Sequence, residues 1–179
     1  MESKSDSQLV RDFRLGVLEA FETLYHRYKQ PIYSFCLRLT GERQTAEDAT
    51  HDAFLKVYQH IDSLQDVTLF KSWLYSIARN QVYKSIRKTK SNGVLDEGSV
   101  WSEETPLTIL QAEETKQIIS TSLNALKAEY LEVLLLKEFE KLSYAEISVI
   151  TGDSVSSVKS RLFKARKALA EHIEKFYSD

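Results

Sequence analysis

Two stretches of the 179-residue chain gather cations with no acid among them. Residues 71–90 hold Lys71, Arg79, Lys84, Arg87, Lys88 and Lys90, and residues 154–167 hold Lys159, Arg161, Lys164, Arg166 and Lys167. Such runs neutralise phosphates, which is the sequence-independent part of nucleic-acid affinity. In the first stretch Tyr75, Arg79, Tyr83 and Arg87 recur every fourth residue, so on a helix they form a stripe roughly opposite Phe70, Leu74, Ile77 and Gln81. A tyrosine on a wet face offers an unpaired base a stacking surface worth about 1–3 kcal/mol, and the flanking Arg79 and Arg87 would hold phosphates. The bland alternative is a solvated basic face whose tyrosines cover a neighbouring helix. In the second stretch Ser156, Ser157, Ser160 and Arg161 could reach base edges in a major groove, with Lys164 on a phosphate. Lys159, and Tyr144 on the preceding helix, belong to the same DNA-facing set; the alternative there is a plain helical hairpin.

A third stretch has the opposite sign. Glu47, Asp48 and Asp52 stand early in a helix, where negative charge complements the helix dipole. Phe54 and Tyr58 lie off the alanine stripe of that helix, so acids, aromatics and Lys56 together predict a docking surface for another protein. Asp48 and His51 are spaced as ligands of a carboxylate-bridged dimetal bundle, but such a site needs two Glu-x-x-His pairs and further inward carboxylates. With His26, His60 and His172 unpaired in sequence, His51 reads as a surface residue and no metal or cofactor is expected. Neither a phosphate-binding glycine loop nor a Gly-x-Ser-x-Gly elbow occurs, and Cys36 reads as core. The chain is expected not to be an enzyme.

The elements that must carry these groups are helices. Hydrophobic and charged shares of 42% and 28% are those of a soluble globular protein, and 5 Gly with 2 Pro disfavour an all-β fold. A first helix opens at a Ser5–Gln8 capping pattern and runs through Phe13, Val17, Phe21, Leu24 and Tyr28. Pro31 starts a second that stops at Gly41, Thr45 caps a third with Ala46, Ala49, Ala53, Val57 and Ile61 inward, and the fourth spans Phe70 to Lys88. Residues 90–105 are polar and acidic without helical periodicity and read as a flexible linker, after which Pro106 restarts a helix. Tyr130 to Phe139 suits a buried central helix. Ser143 with Glu146, Gly152, and Asp153 with Ser154 then punctuate a helix-turn-helix. The expectation is an all-α chain of two small helical domains, 1–89 and 106–179, joined by 90–105.

The formal net charge of −2 argues at first against a nucleic-acid partner. Its distribution reverses that, because residues 91–118 alone carry −5 and leave +3 on the rest. The first ten residues lack the apolar core of a signal peptide and the longest aliphatic run is Val133–Leu136, so a cytoplasmic protein without membrane insertion is expected.

Three segments carry a resemblance. AFETLYHRYKQPIYSFCLRLTGERQTAEDATHDAFLKVYQHI followed by FKSWLYSIARNQVYKSIRK resembles the sigma-two domain of extracytoplasmic-function, or group IV, sigma factors of bacterial RNA polymerase. LSYAEISVITGDSVSSVKSRLFKARKAL resembles their sigma-four helix-turn-helix. The resemblance implies a non-enzymatic subunit that binds core RNA polymerase and directs it to promoter DNA. It implies that Glu47, Asp48, Asp52, Phe54, Lys56 and Tyr58 dock on the clamp helices of the largest core subunit. Tyr75, Arg79, Asn80, Tyr83, Lys84 and Arg87 would engage and open the minus-ten element, and the loop 63–69 would capture a flipped nontemplate base. The last helix would read the minus-thirty-five element, and an anti-sigma factor is a common partner in the family. Ser154 stands where the family usually has proline, and Ser156 and Ser157 where it has Gly-Thr; serine keeps the capping chemistry. The alternative is a one-component helix-turn-helix regulator, which would bind duplex DNA tightly by itself.

Overall fold

The computed structural model describes residues 4–91 and 110–178, and every regular element among them is helical. The chain forms two compact units. The first holds α1 (Asp6–Arg14), α2 (Leu18–Thr40), α3 (Arg43–His60) and α4 (Phe70–Ser91), with two short 3-10 turns, Ile61–Ser63 and Val67–Leu69, between the last two helices. The second holds α5 (Leu110–Asn124), α6 (Ala128–Leu134), a π-helical turn Leu135–Phe139, α7 (Tyr144–Thr151) and α8 (Val155–Tyr177). Of the predicted linker, residues 92–105 lie outside the described residues, as does Pro106, while residues 90 and 91 are the last of α4.

The N-terminal helices divide differently from the sequence expectation. The Ser5–Gln8 capping box is present, but the helix ends at Arg14, where Gly16 adopts a φ of 91°. The N–H groups of Leu15, Gly16 and Val17 turn back onto carbonyls of Arg11, Asp12 and Phe13 and close the end of α1. Val17 is consequently exposed rather than inward. Conversely, Pro31 does not open a helix: α2 runs straight through it to Gly41, which closes it in the left-handed conformation. A proline inside a helix costs about 3 kcal/mol or more. That cost is offset because Leu24, Tyr28, Ile32, Phe35 and Cys36 form one buried stripe on both sides of it, each large side chain contributing about 1.5–3 kcal/mol.

Helix α3 packs against both α2 and α4. Its small inner residues Ala46, Ala49 and Ala53 are buried as expected, with Val57 and Ile61. The cap is Glu42 rather than Thr45: the Glu42 carboxylate accepts from the Thr45 N–H at 3.3 Å. Along α4 the buried face is Phe70, Leu74, Tyr75, Ala78, Gln81 and Val82, while Trp73 and Ile77 are only half-buried. The face is broad because α4 touches α2 as well as α3. Tyr75 is thereby drawn into the core, where its ring stands edge-on to Phe35 at 5.3 Å.

In the second unit Leu131 to Leu136 are all buried, Glu132 included, so α6 is the central helix against which α8 packs. On α5 Ile118 and Leu123 are half-buried and Ile119 is exposed, and Leu126, just after the helix, is buried. Ser143 and Glu146 form the expected capping box, Gly152 takes a φ of 76°, and Ser154 caps α8 by accepting from the Ser157 N–H at 3.1 Å. Among the described residues no helix is long and apolar enough to cross a membrane.

Two outcomes test this core. Tyr75→Ala should destabilise the N-terminal unit by about 3–5 kcal/mol in urea melts followed by amide exchange, whereas Tyr83→Ala should cost well under half of that. Burial pushes the Cys36 thiol up to about 12, despite a hydrogen bond from Thr50 that lowers it. Because the thiolate is the reactive form, Cys36 should resist iodoacetamide at pH 8 in the folded chain and label readily in urea.

Candidate functional site

The outward face of α4 is built from Asn80, Lys84, Arg87 and Lys88, all exposed, with Arg79 and Tyr83 half-buried beside them. The Arg79 guanidinium lies 4.6 Å from the centre of the Tyr83 ring and covers one of its faces. The sequence-derived stripe therefore survives from Arg79 onward but loses Tyr75, whose ring is in the core and offers no surface for a base. Trp73 is also a half-buried aromatic; it tilts against Phe70 with centroids 6.4 Å apart. Spacing alone could not separate it from the core because it neighbours Leu74 on a helix buried from two sides.

The outward face of α8 carries Ser156, Lys159, Ser160, Phe163, Lys164 and Lys167. Phe163 was absent from the sequence expectation, yet it is 70% exposed in the middle of this polar and basic face. Its position off the Val158, Leu162, Ala165 stripe was the available signal. Arg161 is occupied differently from the expectation that it reaches outward: its guanidinium pairs with Asp153 at 2.6 Å and its side chain is only 20% exposed. The pair ties the first turns of α8 to the residue before its cap and fixes the turn. Ser157 is half-buried, with its N–H committed to the Ser154 cap.

Tyr144, at the start of α7, is half-buried and bracketed by two cations, Lys137 at 4.7 Å and Lys159 at 5.4 Å from its ring centre. Lys137 also donates to the Leu142 carbonyl at 3.1 Å, which holds the ammonium beside the ring. Arg166 pairs with Glu138 at 2.5 Å, and that hydrogen bond holds the guanidinium above its ordinary pKa, so Arg166 is more firmly engaged than the lysines around it.

On α3 the predicted acids Glu47, Asp48 and Asp52 and the base Lys56 are all exposed. Asp48 accepts from the Gln44 amide at 3.1 Å. With α3 beginning at Arg43, no acid stands in its first turn, so the expected dipole role falls to the Glu42 cap. Phe54 is a correction. It is buried, edge-on to Tyr25 of α2 at 4.8 Å, because α3 packs on α2 as well as on α4. Tyr58 is both anchored and open: it closes an aromatic cluster with Phe13 and Phe21 at 5.5 and 5.2 Å and remains 49% exposed. Leu55, one turn before it, and Leu15 and Leu18 at the α1–α2 turn are exposed aliphatics that the sequence reading did not single out. His51 is exposed, and among the described residues no group of three or more His, Cys, Asp or Glu converges to hold a metal.

The arrangement therefore offers two basic helical faces, each with an aromatic side chain partly or wholly open, and one acidic face with exposed apolar groups. Comparison with known proteins agrees with those chemistries. The family model for sigma-70 region 2 matches residues 24–92, and that for sigma-70 region 4 matches residues 116–169. The chain is 31% identical over 176 residues to the ECF RNA polymerase sigma factor SigW of Bacillus subtilis, covering 92% of this chain and 94% of that protein. It is 29% identical over 185 residues to the ECF RNA polymerase sigma-E factor of Escherichia coli, covering 97% and 96%. Among solved structures it is similar to the sigma factor RpoE of Bartonella quintana, crystallised with the anti-sigma factor NepR, with a TM-score of 0.73 and 26% identity over 86% of this chain and 96% of that one. From these two regions in order and the extent of the SigW likeness, the chain belongs to the extracytoplasmic-function family of RNA polymerase sigma factors, non-enzymatic subunits that direct transcription initiation.

Proposed function

We propose that the two basic faces divide promoter recognition between single-stranded and duplex DNA. The observation that carries this is that each face sets an aromatic ring among clustered cations: Tyr83 beside Arg79, Lys84 and Arg87 on α4, and Phe163 among Lys159, Lys164 and Lys167 on α8. Tyr83 stacks on an unpaired base of the minus-ten element while Asn80, Lys84 and Arg87 hold the strand, and the 63–69 loop captures a flipped nontemplate base. In the minus-thirty-five major groove Phe163 meets a thymine methyl group and Ser156 and Ser160 reach base edges. Lys159, Lys164 and the Lys137–Tyr144 pair hold phosphates, and Arg161 fixes the turn that aims the helix.

The acidic face of α3, with Glu47, Asp48, Asp52, Lys56 and Tyr58, docks on the clamp helices of core polymerase. Tyr58 is the apolar anchor of that contact, since its ring is held rigid by Phe13 and Phe21 and loses little freedom on binding. The protein works in the cytoplasm, where core polymerase is found. An anti-sigma partner that covers exposed apolar groups of the first unit fits the complex in which the Bartonella relative was solved.

Joining two modest DNA contacts through core polymerase raises the effective concentration of the second, so neither unit needs high affinity alone. Added to core polymerase on a genomic template, the chain should give promoter-dependent transcripts whose start sites define both elements. Tyr83→Ala should then lower open-complex formation, read by permanganate reactivity, more than closed-complex affinity; equal losses would reject stacking. On a duplex minus-thirty-five fragment, Lys164→Ala should weaken all sequences alike and reduce the salt slope by about 1. Phe163→Ala should instead cost about 1–3 kcal/mol on the cognate sequence alone, measured by competition against scrambled duplex.

A further inference from the structure

Helix α1 precedes the residues matched by the region 2 family model, which begin at residue 24. It is nevertheless fastened to α2 at both ends. Near its start the Asp6 carboxylate accepts from the Arg27 guanidinium and the Tyr28 hydroxyl, and Arg27 also donates to the Lys4 carbonyl at 2.9 Å. Near its end Phe13 packs on Phe21 with ring centroids 5.1 Å apart.

From this anchored position α1 reaches the connection between α3 and α4, again at two places. The Arg14 guanidinium donates to the Ile61 carbonyl at 2.8 Å through Nη2 and at 3.3 Å through Nε, and also to the Leu64 carbonyl. The Ser7 hydroxyl stands 3.5 Å from the Val67 carbonyl. Ile61 and Leu64 are themselves buried, so guanidinium and apolar anchors hold the same two residues. What the connection turns outward is polar apart from Leu69: Asp62, Ser63, Gln65, Asp66 and Thr68 are all exposed. It keeps local order as well, since the Asp66 carboxylate caps the second short turn by accepting from the Thr68 hydroxyl and N–H; those bonds hold the carboxyl below its ordinary pKa.

We infer that α1 is a brace for the 61–69 loop and that Arg14 is a positioning residue for the capture of an unpaired nontemplate base there; this rests on the base-capture reading above. The physical reason is preorganisation. A loop of two single 3-10 turns has little hydrogen bonding of its own, and ordering it at the moment of DNA binding would weaken capture. A guanidinium is suited to the task because its planar fork donates to two carbonyls at once, whereas an ammonium is a point charge. Arg14 itself is mostly covered, with 26% of its side chain exposed, and its approach to Asp62 at 3.9 Å is a weak contact with an open carboxylate. Its value therefore lies in the carbonyl bonds rather than in a direct pull on phosphate.

The experiment uses holoenzyme assembled from core polymerase and the full chain, bound to fork-junction DNA whose nontemplate strand is unpaired across the minus-ten element. An abasic scan of that strand locates the captured base, whose removal should weaken wild-type binding about tenfold or more. Arg14→Ala should weaken binding to the intact fork by a comparable factor, yet lose little further when that base is removed. Arg14→Lys should recover part of the loss, and affinity for core polymerase should not change in either variant. The inference is overturned if Arg14→Ala binds the intact fork like wild type, or if its loss and the abasic loss simply add. If no abasic position in the scan weakens the wild type, the base-capture reading itself fails, which is a different result. Should Arg14→Ala melt the domain, Arg14→Lys and Ser7→Ala carry the same non-additivity test in a folded protein.

Discussion

The unbroken inner face of α2 is the constraint on which the first domain depends. Leu24, Tyr28, Ile32, Phe35 and Cys36 present one apolar surface across a proline that would otherwise end the helix. Three helices are placed by it. The alanines of α3 close in because they are small, Tyr75 of α4 reaches Phe35, and α1 is pinned through Asp6 and Phe13. Once α4 is fixed on this side, Asn80, Lys84 and Arg87 must point the other way. The same packing that buries Phe54 leaves Tyr58 one turn later half open, so the exposed face of α3 is a consequence of how the core is filled.

The second domain solves a similar problem with a different device. Its centre is a helix buried all round, Leu131 to Leu136, and α8 packs on it through Val158, Leu162 and Ala165. Nothing in that packing sets where α8 begins. Its start is set locally by Gly152, the Ser154 cap and the Asp153–Arg161 pair, so the reading end of the helix is defined by short-range bonds and its direction by the core. Serine at the turn keeps the capping geometry, with Ser154 accepting from the Ser157 N–H.

Charge ties the two domains to their shared task. A net charge of −2 on a DNA-binding subunit is the result of unlike parts, an acidic stretch at 91–118 and two acid-free basic runs, 71–90 and 154–167. Non-specific affinity grows with each phosphate neutralised, so a chain that acts only on polymerase gains from a modest balance. In the proposed division of promoter recognition the aromatic rings supply the selectivity that cations alone cannot give.

Much of this was legible before any coordinates, and the legible part was local. The capping boxes at Ser5 and Ser143, the left-handed stops at Gly41 and Gly152, the alanine stripe of α3 and the two basic runs each depend on residues within a turn or two of one another. So do the helix-turn-helix pattern and the family motifs. What spacing could not decide was the width of each buried face. A helix packed on one neighbour hides a narrow stripe, but α3 and α4 each pack on at least two, so Phe54 and Tyr75 belong to the core, while Trp73 is half-buried and Phe163 of α8 is open. Long-range bonds were equally invisible: Pro31 is tolerated because residues on both sides meet the same partners, and Arg14 and Arg161 are surface cations by composition until the fold brings two loop carbonyls to one and Asp153 to the other. The sequence by itself determined the caps at Ser5, Ser143 and Ser154 and which helices are basic, because caps and charge are short-range properties. Only the tertiary structure decided which side chains each helix keeps for its own core and which it leaves exposed, because that choice is made by the surface that packs against it.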